Sequence, residues 1–199
     1  MNVTLSILVS TIPSRSPKRA KLVKGLLAQI DGDERVEVLV FEDNKRRSIG
    51  KKRDDLIRLA QGDFVTFVDD DDGVDDGYVQ ALLRAIVANP DADVFAINQR
   101  CWYNGTGPFK VEFSIENDND KMCKGEDGKW VDLKRSLTHS CVWRAEIAKK
   151  VNVPDKGYFE DTEWAAEASR HVRKQVRVPD AVHIYVYDDL VSEGHDWDG

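Results

Sequence analysis

Four consecutive carboxylates, Asp69-Asp70-Asp71-Asp72, stand between the apolar run Phe64 to Val68 and Gly73. Two unit charges about 4 Å apart at an effective dielectric of ~20 repel by roughly 4 kcal/mol, so a cation would relieve so tight a cluster. Carboxylate oxygens suit a hard divalent ion. In open α/β sheets ligands bind outside the carboxyl ends of strands, where this cluster falls. A solvated acidic turn is the plain alternative. An EF-hand frame fails: with Gly73 at the glycine position the first ligand is Val68, and with Gly77 there the last is Leu83. Cys123, His139 and Cys141 are types that ligate zinc, but no CxxC pair accompanies them. Glycine-rich dinucleotide and triphosphate loops, the GxSxG elbow and the local signatures of caspase-like and papain-like cysteines are all missing.

The elements that must position the cluster follow from periodicity. Val3 to Ser10 and Val36 to Phe41 read as β-strands, the second carrying Glu42-Asp43-Asn44 at its end. Between them Ser16 is expected to cap a helix with Pro17 in its first turn, and Leu22, Val23, Leu26, Leu27 and Ile30 are expected to face the sheet until Asp31-Gly32-Asp33 ends it. Two strands joined by such a helix should be parallel with a right-handed crossover. Ser48 caps a second helix with Leu56, Ile57 and Ala60 inward, and Gly62 closes the approach to the strand Phe64 to Val68. That strand lacks polar alternation, so it should be buried on both faces. Val79, Leu82, Leu83, Ile86 and Val87 mark a third helix, stopped at Asn89-Pro90, and Val94 to Asn98 is a fourth strand.

The second half is less regular. Trp102 to Gly107 reads as a turn, Lys110 to Ile115 as a strand, Glu116 to Lys129 as a polar loop, and His139 to Ile147 as a strand or turn entering a short helix. Glu160 to Val172 is helical, with Trp164, Ala165, Ala168 and His171 or Val172 inside. From Val182 to Tyr187 the alternation sets His183, Tyr185 and Tyr187 on one face, the less apolar one, which could look into a cleft.

At 199 residues the chain can bury the core of one domain, and its net charge of -7 argues against general attraction to nucleic-acid backbone. An odd number of widely spaced cysteines fits reduced thiols. No apolar run is long enough to span a bilayer and no leader pattern opens the chain, so a soluble, cytoplasmic protein is expected, in the host cytoplasm if it is viral.

In joint order, Ser10-Thr11-Ile12-Pro13-Ser14-Arg15, Glu42-Asp43, Ile49 to Asp54, Gly62-Asp63-Phe64 leading to Asp69 to Asp72, and Tyr158 to Trp164 resemble the nucleotide-sugar-dependent glycosyltransferases of family 2. The resemblance implies a GT-A fold: one doubly wound α/β domain with a mostly parallel central sheet flanked by helices. Residues 1–100 would then form the nucleotide-sugar half and 101–199 an irregular acceptor and catalytic-base half. It implies inverting transfer of a sugar from a nucleotide diphosphate, a UDP-sugar above others, to a hydroxyl. Thr11, Pro13 and Arg15 would line the nucleotide pocket, and Glu42 or Asp43 would accept from base or ribose. Arg53, with Lys52, would meet the diphosphate, although Lys51 to Arg53 would otherwise read as a solvated helix face. Asp69 and Asp70 would approach the ribose. Asp71 would hold Mn2+ or Mg2+, with His183 as a third ligand, His195 a weaker one, and Asp70 or Asp72 as substitutes should the register slip. Asp161 would be the catalytic base, with plain helix capping as its alternative role; Glu160, His139, Trp102 and Trp143 would serve the acceptor. That acceptor would be a carbohydrate or another hydroxyl, a hydroxymethylated DNA base among them, extruded against aromatic walls. Two other classes compete: a nucleotidyltransferase acting on a sugar phosphate, which should carry a glycine-rich triphosphate loop, and a non-catalytic nucleotide-sugar-binding module, which should have lost one of the acidic motifs.

Overall fold

The computed structural model describes residues 3–117, 121–124 and 130–187. Next to the edge of its sheet lies β1 (Leu5–Thr11), all seven residues buried, with β2 (Val36–Glu42), the edge strand, and β3 (Phe64–Phe67) parallel on either side. Leu5 lies opposite both Val36 and Phe64, so the strands start in step; β1 and β2 end together at Thr11 and Glu42, whereas β3 stops at Phe67, opposite Leu8. The chain returns between them through α1 (Ser16–Ile30) and α2 (Ile49–Leu59). Leu22, Leu26 and Ile30 recur every fourth residue and bury one stripe of α1, whereas Leu27 is 55 % exposed, a quarter turn away from the sheet. Ser16 does not cap this helix. A 3-10 turn, Pro13–Arg15, leads into it, Arg15 takes the cap position, and the Ser16 hydroxyl accepts from Arg19. Ser48 does cap α2, accepting from the Lys51 amide at 2.9 Å.

After β3 come the short β4 (Gly73–Val74) and α3 (Tyr78–Ala88), which packs on α1; Val87 lies outside its buried face. The fourth expected strand is longer than its apolar run. As β5 (Val94–Tyr103) it continues through Trp102, and only Asn104-Gly105 turns, both with positive φ, into the antiparallel β6 (Thr106–Phe113). An Asn-Gly pair is suited to a two-residue hairpin, because both positions need the left-handed region. Within the expected polar loop, β7 (Lys121–Lys124) pairs with β8 (Trp130–Arg135); positions 118–120 and 125–129 of that loop lie outside the described residues.

The strand expected between His139 and Ile147 is β9 (Val142–Arg144), but its place was not foreseen: it lies antiparallel between β3 and β5, with Trp143 opposite both Val65 and Val94. It runs into α4 (Ala145–Ala148), followed by α5 (Glu160–Ser169) and β10 (Gln175–Tyr187). On α5, Trp164, Ala165 and Ala168 are buried, and the helix ends before His171, which is exposed. β10 runs parallel to β5 with an irregularity between Val178 and Val182, and its His183 and Ile184 pair with β4. The result is mixed α/β, with a mostly parallel central sheet flanked by helices. Trp143 and Trp164 meet edge-on at 5.2 Å, with Phe67 beside them, as the apolar floor under the carboxyl end of β3. Among the described residues no helix is long and apolar enough to cross a membrane.

Candidate active site

The carboxyl ends of β1 and β3 open into a cleft of about 440 Å³, lined in part by Thr11, Arg15, Lys52, Asp69 to Asp72, Tyr158, Tyr185 and Tyr187. The four aspartates do not act alike. Asp70 is buried and points back into the protein, accepting from the Thr11 hydroxyl at 2.6 Å and Arg15 Nη1 at 2.8 Å, which ties the ends of β1 and β3 together. Asp71 faces the cleft, 3.2 Å from Arg15. Burial, with the repulsion of its three acidic neighbours, outweighs Arg15 and raises its carboxyl to about 6. Asp72 lies 3.2 Å from His183 Nε2; burial raises its pKa, and His183 opposes the rise. The His183 ring is held at Nδ1 by Gln99 at 2.9 Å, while its buried Nε2 makes no well-formed hydrogen bond.

Asp69 turns toward the second half of the chain. Arg53 Nη2 donates to both of its oxygens, at 2.7 and 2.9 Å, and Arg53 Nη1 donates to Glu160 and lies 3.9 Å from Asp161. Arg53 is 3 % exposed, and so is Glu160. The solvated face once open to Lys51–Arg53 survives only at Lys51, which reaches Asp55 at 2.9 Å. Lys52 turns inward, donating to the Thr11 carbonyl at 3.1 Å with Asp43 3.3 Å away. His139 completes the cluster, its Nδ1 3.0 Å from Asp161 and its Nε2 3.4 Å from Asp69. Burial and Arg53 oppose a charge on this imidazole, but the two carboxylates prevail and raise its pKa to about 9. Burial pushes the Asp161 carboxyl up, yet the bond from His139 and the charges of His139 and Arg53 hold it well below the usual carboxylate range. Asp161 occupies the first turn of α5, its Oδ1 accepting from the Thr162 amide at 2.8 Å. The turn before it puts Phe159 at φ 59, a left-handed conformation that a bulky residue adopts at a cost of about 1–3 kcal/mol.

Among the residues singled out by sequence, then, Thr11, Arg15, Arg53, Asp69, Asp70, Asp71, His139, Glu160 and Asp161 meet at one place. Others stand apart. Pro13, in the 3-10 turn, and Glu42, which pairs with Arg19 of α1, do not line the cleft; nor does Asp43, whose Oδ2 accepts from the Arg47 amide while its buried Oδ1, 3.3 Å from Lys52, makes no hydrogen bond. Glu160 is enclosed by its pair with Arg53, leaving it no open side for an acceptor. Trp102 sits on β5 opposite Val186, which lines the cleft, but is not itself a lining residue, and Trp143 is core, its Nε1 bonded to the Thr138 carbonyl. The aromatic lining comes instead from Tyr158, Tyr185 and Tyr187. Strand alternation had set Tyr185 and Tyr187 beside His183, a signal that could have nominated them. His183 lies on Asp72, not Asp71. His195 and the Cys123 side chain lie outside the described residues, while Cys101 and Cys141 are buried free thiols. Among the described residues no three His, Cys, Asp or Glu side chains form a preassembled metal cage.

The profile of glycosyl transferase family 2 matches residues 17–139. No curated protein matches the chain in sequence. Among solved structures, S. aureus TarS 1-349 in complex with UDP-GlcNAc is similar at a TM-score of 0.65 and 17% identity, over 96% of this chain and 60% of that one. The same protein in complex with UDP gives 0.65 and 17%, over 92% and 60%. A further structure of S. aureus TarS gives 0.62 and 16%, over 93% and 37%. The chain thus spans 60% or less of these relatives' length, and at such identity the likeness is one of fold.

Proposed function

Because the chain belongs to glycosyl transferase family 2, we propose that it moves a sugar from a nucleotide diphosphate, UDP above others, to an acceptor hydroxyl with inversion at the anomeric carbon. Asp161 takes the proton of the acceptor hydroxyl as the oxygen forms its bond to the anomeric carbon. The bond to the diphosphate oxygen breaks on the opposite side, and its electron pair leaves with the nucleotide. Arg15 and Lys52, on the cleft wall, face the phosphates, and Tyr185 and Tyr187 offer flat surfaces to a ring of base or sugar.

Mn2+ or Mg2+ fits this donor set in one manner. Asp71 is an open carboxylate crowded by like charge, and the neighbouring Asp72 and His183 present a buried ring nitrogen without a good hydrogen bond. A site with one or two carboxylates and no full protein cage suits an ion whose other ligands are diphosphate oxygens and water. Bound there, the ion would neutralise charge on the departing nucleotide. The observation that supports the reading is the buried Arg53, which joins Asp69 at the cleft to Glu160 and Asp161 on α5; in this reading it sets the base beside the donor.

Calorimetric titration with a panel of nucleoside diphosphates tests it, with Mn2+ and then with chelator, beside Asp71→Ala. One nucleotide is expected to bind in the presence of metal and to be lost in the variant. If no nucleotide binds under any condition, the transferase reading fails. Release of pyrophosphate from a nucleoside triphosphate and sugar phosphate would assign the chain to nucleotidyl transfer instead.

A further inference from the structure

His139 was expected on the acceptor side, but its side chain is only 14 % exposed; Nδ1 lies 3.0 Å from Asp161 and 3.1 Å from the Thr138 hydroxyl, and Nε2 lies 3.4 Å from both Asp69 and Arg53 Nη2. Its backbone is fixed to the strand that carries the aspartates. The His139 carbonyl accepts from the Phe67 amide at 3.3 Å, and the Ser140 carbonyl accepts from the Thr66 hydroxyl at 3.0 Å. On the other side the Thr138 carbonyl accepts from Trp143 Nε1 at 3.0 Å and from the Cys141 amide at 3.1 Å, closing a tight turn just before β9. The imidazole therefore has little freedom relative to β3.

We propose that His139 is a positioning residue for the transfer step, holding Asp161 through Nδ1 while Nε2 abuts Asp69, so that the proton acceptor keeps a set distance from the donor-binding end of β3. This rests on the glycosyltransferase reading and adds a residue to it. Without the ring, Asp161 Oδ2 keeps, among the described residues, only Arg53, at 3.9 Å, as a cationic neighbour, and its carboxylate is free to swing about its bond to the helix amide. A carboxylate accepts through about four lone-pair sites, so the bond from His139 leaves room for the acceptor hydroxyl. Displacement of a reacting group by about 1 Å costs on the order of 100-fold in rate.

The test uses UDP release from UDP-GlcNAc with water as acceptor, or the sugar of whichever nucleotide binds in calorimetry. His139→Ala is expected to lower kcat roughly 100-fold with the donor KM changed less than about threefold. His139→Asn places an amide nitrogen where Nδ1 stood and is expected to regain at least about tenfold of kcat; His139→Gln, whose amide reaches only the Nε2 place, is not. A second measurement needs neither turnover nor a folded His139 variant. In wild type the His139 Nδ1–H proton should give a slowly exchanging NMR resonance that disappears in Asp161→Ala, which removes the acceptor oxygen. Equal losses in all three His139 variants, an effect confined to KM, or a resonance untouched by Asp161→Ala would each overturn the proposal. Wild-type protein that releases nucleotide from no nucleotide sugar would defeat the glycosyltransferase reading itself, and this role with it.

Discussion

Asp71 is pulled in two directions. Its burial and its acidic neighbours disfavour the charge, Arg15 favours it, and the carboxyl rests at about 6. A folded pKa above the unfolded value of 3.8 means that the group's contribution to stability is full below about 3.8 and is lost as pH rises through about 6. Asp71→Asn is therefore expected to stabilise the metal-free protein at pH 7.5, by on the order of 2 kcal/mol, and to leave it unchanged near pH 3.5. Thermal melts in EDTA at the two pH values measure this, and a lower melting temperature of the variant at pH 7.5 would contradict it. Arg53 presents the reverse case. It is buried among Asp69, Glu160 and Asp161, and its guanidinium pKa is raised because their charges outweigh the burial that opposes it. Removing one member of a buried pair leaves uncompensated charge, so Arg53→Met should cost about 3–5 kcal/mol in urea unfolding. Arg53→Lys should recover little of that, since an ammonium lacks the fork that reaches Asp69 and Glu160 together. A loss under about 1 kcal/mol for Met would mean that the cluster relaxes or takes up protons without its arginine.

At the scale of elements, α2 does more than cover the sheet. Its first turn packs against the segment leading to α5: the Gly50 amide donates to the Lys156 carbonyl at 3.2 Å, and a Cβ on Gly50 would lie 1.9 Å from the Pro154 carbonyl oxygen. Only glycine admits that approach, which sets Arg53 one turn later within reach of Glu160. Gly50→Ala is expected to push α2 and the Pro154 to Lys156 segment apart, lowering both the melting temperature and transfer, whereas Gly25→Ala, with nothing near its Cβ, should do neither. Ser48, bonded both to the Lys51 amide and to Asp155 at 2.6 Å, anchors the same corner. Ser48→Ala should cost about 1 kcal/mol as a lost cap. The Ser48 cap was legible beforehand, because a Ser ahead of an amphipathic run has a local signature. The packing of Gly50 was not, because its partners lie more than a hundred positions along the chain.

For the molecule as a whole, β9 makes the two halves one body. A strand from the second half lies between β3 and β5 of the first, and Arg53, through Glu160, and His139, through Asp69, tie the same halves at the cleft. Unfolding is therefore expected to be a single calorimetric transition with matching calorimetric and van't Hoff enthalpies, about 140 kcal/mol at 60 °C for 199 residues. Two separable transitions would show that the halves fold independently.

The sequence by itself determined the βαβ order, the strand ends that carry Glu42 and Asp69, the caps at Ser48 and Asn89, and the helix that opens at Glu160-Asp161. Each is written in a local period or a local hydrogen bond. Only the tertiary structure decided that β9 would lie between β3 and β5, that Lys52 and Arg53 would turn inward, that Trp143 would be core, and that His139 would join Asp69 to Asp161. Side-chain periodicity tells which face of an element is buried, but not which distant element buries it. A charged helix face reads as solvated until its counter-charges, here 107 residues away at Glu160, are brought against it.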